Sequence, residues 1–188
     1  MIEKKTRRKK IKDGSVVKIN LSANKLVFGR LMKSRIVIYD FIILETATVP
    51  DIETIIGKSI FLYCSIYNDV ITKGLFEIIG FKELTEEEIE NIPPKFTQDL
   101  VDINKCVIYY YDGREFKAKP EDCIGLESSS VWEAQGLVER IQDYYSGKRN
   151  YHVELMKPIL STNDPRYLPK PNELRWNFEK QEFYKIVQ

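Results

Sequence analysis

The chain has 188 residues, of which 43% are hydrophobic and 12% aromatic. That is enough apolar material for a packed core and too much for a disordered chain. Lys and Arg number 29 against 28 Asp and Glu, a formal charge of +1. No apolar run nears the roughly 18 residues that a membrane span needs, and the opening MIEKKTRRKKIKDG has no apolar stretch behind its charges, so neither a span nor a secretory signal is expected.

The predicted elements begin at Asp13-Gly14, a turn signal. Residues 15–20 then alternate as a strand, Ser22–Asn24 breaks it, and 25–32 reads as its return. Gly29 inside that return suggests a bulge or a close backbone approach. After a short break at Lys33-Ser34, residues 35–44 form a long β-branched and aromatic run, read as a central strand. Pro50 ends it. Asp51 is a candidate N-cap for a short helix over 51–56, with Gly57 as its stop. Residues 59–67 read as a buried strand, and 70–79 as a further strand interrupted at Lys73-Gly74. Thr85 and Glu88 have capping-box spacing at the head of an acidic short helix that Pro93-Pro94 stops.

After a polar link, 105–111 is a strand, Asp112-Gly113 a hairpin turn and 114–117 its return. Residues 120–125 form a loop. The main helix is expected over 131–145, with Ser130 as N-cap and Glu133 completing a capping box. Val131, Ala134, Leu137, Val138, Ile141 and Tyr145 make its apolar stripe. Gly136 within it suggests close packing of another element. The tail over 156–188 mixes prolines with aromatics and reads as an extended segment wrapping the domain. The expected organisation is therefore a basic flexible arm over 1–12, a single α+β domain over 13–155 and the tail. The domain is a strongly bent antiparallel sheet or small β-barrel packed by one main helix (131–145).

Chemistry-bearing motifs are sparse. His152 is the single histidine, which leaves no His-rich zinc site and little acid–base machinery. Cys64, Cys106 and Cys123 are odd in number and form no C-x-x-C, which points to a reducing compartment. Cys64 and Cys106 sit in apolar runs and read as buried small hydrophobes. Nothing in the sequence orients a Cys123–His152 pair as a dyad. No phosphate-cradling glycine loop or nucleophile elbow occurs. No catalytic residue, metal ligand or cofactor is expected.

Charge is unevenly spread. Residues 1–12 hold seven basic residues against one acid, a net +6, so 13–188 carry −5 of the total +1. The arm reads as a solvated terminus or a polyanion contact; the acidic body repels phosphate and suits a basic protein partner.

Two stretches together carry a family resemblance. Asp13-Gly14-Ser15-Val16-Val17-Lys18-Ile19 followed by Phe28-Gly29-Arg30-Leu31, and Gly125-Leu126-Glu127-Ser128-Ser129-Ser130-Val131-Trp132 leading into 138–145, resemble the immunity protein 26 family. The resemblance implies a small cytoplasmic bacterial protein of a polymorphic-toxin system that binds and blocks a cognate toxin, without catalysis. Within it, Gly14, Gly29, Gly125, Trp132 and Arg140 read as scaffold, and Glu127 is a candidate partner for Arg140. An inhibitor that presents carboxylates suits a toxin with a basic cleft. The partner-binding candidates are Glu83, Glu86, Glu87, Glu88 and Glu90, with Asp99 and Asp102 second; the alternative for the cluster is a solvated helix face. Two other functions stand beside this one: a small β-barrel nucleic-acid-binding module using the basic arm, which the acidic body disfavours, and an enzyme built on carboxylates. Oligomeric state is not legible in the sequence.

Overall fold

The computed structural model describes residues 11–167 and 174–185. The basic arm expected over 1–12 therefore lies outside the described residues except for Ile11 and Lys12, as do parts of the tail. In chain order the strands are β1 (Ser15–Leu21), β2 (Lys25–Met32), β3 (Arg35–Leu44), β4 (Ile60–Ile66), β5 (Glu77–Phe81), β6 (Lys95–Gln98), β7 (Cys106–Tyr109), β8 (Glu115–Ala118), β9 (Glu127–Ser128), β10 (Val131–Trp132), β11 (Leu174–Asn177) and β12 (Glu182–Lys185). The helices are α1 (Ile52–Ile56), α2 (Asp69–Thr72), α3 (Glu86–Glu90), α4 (Ala134–Tyr145) and α5 (Tyr151–Met156). The class is α+β, as the sequence implies.

The chain divides into two compact units, one holding residues up to Asn91 with Val131–Val138, the other Ile92–Ser130 and Glu139 onward. The first unit is built on a six-stranded sheet in the order β10-β4-β3-β2-β1-β5. Its pairs are antiparallel except β10 on β4, which is parallel. Among the described residues no sheet closes into a barrel.

The β2–β3 turn is two residues long, and both Lys33 (φ 46) and Ser34 (φ 63) take positive φ. That geometry matches the right-handed twist of the flanking strands. Residues Leu26–Met32 of β2 are buried without a break. The centre of the sheet is thus covered on both faces, which is why its strands read as continuous apolar runs rather than alternating ones. Gly29 sits at a register shift between β2 and β3. A Cβ there would stand 2.7 Å from the Val37 carbonyl oxygen, so only glycine fits without movement. Gly14 has φ +89 and a still tighter approach, its absent Cβ falling 2.2 Å from the Lys82 carbonyl oxygen.

Two expectations for this unit change. The strand expected over 70–79 is a helical turn, α2, followed by β5. Val70 and Ile71 are both buried; a strand would send these neighbours to opposite faces. An Asp69–Lys73 ion pair of 2.8 Å holds the turn and Gly74 (φ +73) ends it. The main helix starts at Ala134 rather than Val131, because Val131 and Trp132 are taken up by β4, opposite Ser65 and Ile66. The expected caps at Ser130 and Glu133 give way to that pairing. Further along α4, Leu137 and Ile141 of the apolar stripe are fully buried. Gly136 meets ordinary packing, 3.5 Å from the Trp132 ring for a Cβ built there.

The second unit holds a four-stranded sheet in the order β8-β7-β6-β9, with β6 and β9 parallel. Strand β6 lies in what the sequence presents as a polar link. Phe96, Cys106 and Cys123 form its core, with Ile108, Ala118 and Leu126 against them. The Asp112-Gly113 turn joins β7 to β8 as expected. The loop over 120–125 contains a 3₁₀ turn, Pro120–Cys123. Helix α5 is capped by Asn150, whose side-chain oxygen accepts from the His152 and Val153 amides. β11 and β12 form a hairpin, and Tyr151, Trp176 and Phe183 gather their rings with centroids 4.8–5.6 Å apart.

Candidate functional site

Helix α3 is only five residues long and buries none of them fully, with Ile89 half-buried. Its start is a complete capping box. The Glu88 amide donates to Thr85 Oγ1 at 3.2 Å and the Thr85 amide donates to Glu88 Oε2 at 2.8 Å. The remaining carboxylate oxygen, Glu88 Oε1, accepts from Arg30 Nη1 at 2.5 Å. Arg30, on β2, has 0% of its side chain exposed. Its Nη2 donates to the carbonyls of Lys82 and Glu83, each at 2.9 Å. A buried guanidinium thus grips both the loop before α3 and the helix itself.

The electrostatic consequences follow. Burial alone would raise the Glu88 carboxyl, but the Thr85 amide and Arg30 outweigh it and hold it below the ordinary range. Tyr39, on β3 beside Arg30, is raised, chiefly by burial. Of the predicted contact residues, Glu88 is therefore turned inward and engaged. Glu83, Glu86, Glu87 and Glu90 are exposed. Among the described residues their carboxylates make no ion pair. The result is a ridge of four solvated carboxylates on a segment whose backbone is anchored by one inward arginine.

Asp99 and Asp102 belong to the second unit, where they build a turn between β6 and β7. Asp99 Oδ1 accepts from the Val101 and Asp102 amides at 2.7 and 2.8 Å. Asp102 accepts from the Asn104 amide and pairs with Lys105 Nζ at 3.0 Å. The backbone closes the turn with Asp99 N–H to the Lys105 carbonyl and Lys105 N–H to the Asp102 carbonyl, both 2.9 Å. The two backbone amides that Asp99 accepts lower its carboxyl, and the Lys105 ammonium does the same for Asp102. Both stay ionised at neutral pH.

The other candidate chemistry resolves into structure. Cys123 is fully buried beside Cys106 and donates toward the Lys119 carbonyl at 3.5 Å. Burial raises the Cys106 thiol and pushes Cys123 up to about 12, so both stay thiols at neutral pH. His152 stacks edgewise on Tyr151. Glu127 and Arg140 form the pair the sequence suggests, bidentate at 2.6 and 2.9 Å.

That pair lines one side of a groove of about 870 Å³ within the second unit. Leu126, Met156, Leu160, Trp176 and Phe183 supply its apolar wall. Its buried and half-buried carboxylates are each neutralised in place: Glu127 by Arg140, Glu154 by Arg149 and Lys157, Asp164 by Arg166. Among the described residues no three of His, Cys, Asp and Glu gather where they can share a metal ion. None of the described helices is long and apolar enough to cross a membrane.

Comparison with known proteins gives a family match. The model of a family described as Immunity protein 26 matches residues 12–107, just over half of the chain. The matched stretch contains β1 to β5, the Arg30–Glu88 lock, the carboxylate ridge and the Asp99–Asp102 turn. No curated protein and no solved structure matches.

Proposed function

The chain belongs to the immunity protein 26 family, and on that premise we propose that it binds and neutralises a cognate bacterial toxin by direct protein–protein contact, with no catalysis of its own. The contact surface includes the carboxylate ridge of Glu83, Glu86, Glu87 and Glu90; Asp99 and Asp102, in the second unit, are contact candidates by themselves. The ridge carries this reading. Four solvated carboxylates that make no ion pair among the described residues present a field that attracts a basic cleft and speeds encounter. The same field repels nucleic-acid phosphates, which argues against the nucleic-acid-binding alternative. The protein acts in the cytoplasm, within a polymorphic-toxin system, where its three cysteines remain reduced.

The test pairs the purified chain with the toxin domain encoded beside its gene. Calorimetry is expected to show binding at micromolar concentration or tighter, and co-expression is expected to restore growth to cells making the toxin. Reversing charge with Glu86→Lys and Glu87→Lys slows association and flattens its salt dependence, while the melting temperature stays within about 2 °C, as for surface substitutions generally. Absence of binding at micromolar concentration, together with absence of rescue, overturns the proposal.

A further inference from the structure

We infer that the edge strand β8 pairs antiparallel with β8 of a second copy of this chain, about a twofold axis through Phe116, so that two four-stranded sheets join edge to edge. Among the described residues β8 ends its sheet, with β7 as its one neighbour. Glu115, Phe116 and Lys117 are all exposed, Phe116 to 53%. An open edge of this kind, with unpaired amides and carbonyls, is a template for a further strand. The opposite edge of the sheet, β9, has only two residues, too few to serve.

The ladder to β7 fixes which backbone groups face outward. The Tyr110 amide donates to the Arg114 carbonyl at 2.9 Å. Bonded and non-bonded pairs alternate along antiparallel strands, so Phe116, opposite Ile108, and Ala118, opposite Cys106, turn their amides and carbonyls to β7. Glu115 and Lys117 turn theirs away from it. Among the described residues nothing takes those outward groups.

The strand is complementary to itself. A twofold axis through Phe116 sets Glu115 opposite Lys117 of the second copy, and Lys117 opposite its Glu115. These are the residues with outward groups, so each pair exchanges two N–H to carbonyl bonds and brings opposite charges together on one face. The two Phe116 rings meet at the non-bonded position between them, where the chains come closest, on the face that carries Ile108. A shift of the axis to Glu115 or Lys117 opposes like charges, which fixes the register. Charged side chains ordinarily guard an edge against pairing. In Glu-Phe-Lys the two charges are of opposite sign on either side of the centre, so a twin strand neutralises both. Neither side chain makes an ion pair among the described residues. The unit that carries β8 holds 14 Lys and Arg against 14 Asp and Glu, so no net charge opposes the approach of its twin.

The experiment follows the mass of the full chain by sedimentation velocity from about 5 to 500 µM, the range in which a small edge-to-edge contact assembles. Wild type is expected to pass from monomer to dimer with a Kd of about 10–100 µM. Glu115→Lys and Lys117→Glu each oppose like charges twice across the axis and are expected to weaken the dimer about tenfold or more. The swap Glu115→Lys/Lys117→Glu restores the pairing and is expected to return the Kd to within about threefold of wild type, with all three variants melting as wild type does. A monomer at every concentration overturns the inference. So does a dimer that the single variants leave intact, since another surface then holds it, and so does a swap that fails to rescue. The measurement needs no toxin, so its outcome is separate from that of the function proposed above.

Discussion

Glu88→Gln tests whether α3 is held by charge rather than by packing. A carboxylate offers two acceptor oxygens and Glu88 uses both, one on the Thr85 amide and one on Arg30. The amide of Gln has a single oxygen, so one of the two bonds is lost along with the charge. Stranding one partner of a fully buried ion pair costs about 3–5 kcal/mol. Here the Glu88 side chain is 35% exposed, and Arg30 keeps the Lys82 and Glu83 carbonyls. These features reduce the expected cost to about 2–3 kcal/mol. For a chain of this size, that lowers the melting temperature by about 5–10 °C. The pH dependence has a definite sign. Glu88 titrates below its ordinary 4.5 in the folded protein, so its contribution is full above 4.5 and fades as the pH falls through the depressed value. Thermal unfolding followed by circular dichroism at pH 7, and at steps down to pH 3, measures the gap. A gap under 2 °C at pH 7 refutes the argument, as does one that persists undiminished in acid.

Two other expectations need less machinery. Gly136→Ala is expected to stabilise by about 0.4–1 kcal/mol, read as a higher denaturation midpoint. The new Cβ meets Trp132 at an ordinary 3.5 Å and alanine loses less chain entropy than glycine in a helix. A lower midpoint counts against the assigned packing. Cys64, Cys106 and Cys123 are all free and buried. They are therefore expected to resist a thiol reagent such as DTNB at pH 8 while the protein is folded, and all three to react once it is denatured. Rapid labelling of Cys123 in the native protein refutes its elevated thiol.

Local chemistry made a large part of the fold legible. The Lys33-Ser34 and Asp112-Gly113 turns, the Asp51 and Thr85 caps and the long apolar strands depend on residues within a few positions of one another. The sequence shows such groups directly. It also located the acidic segment, because a run of carboxylates at a helix start is visible without coordinates. The bulge at Gly29 was legible for the same reason: a glycine inside a strand pattern needs a local cause.

What tertiary structure decided depends on partners far away in the chain. Arg30 and Glu88 are 58 residues apart, so the capping-box spacing to Thr85 marks Glu88 among the five glutamates of 83–90 but not the buried arginine that takes its other oxygen. Strand β4 captured Val131 and Trp132 and delayed the main helix by three residues, a choice made by an open sheet edge and not by the cap at Ser130. Burial of Val70 and Ile71 together overrode their preference for extended backbone. Leu100 and Val101 read as ordinary apolar residues in a polar link. Only the folded turn shows that water covers them, because exposure is a property of what the rest of the chain leaves uncovered.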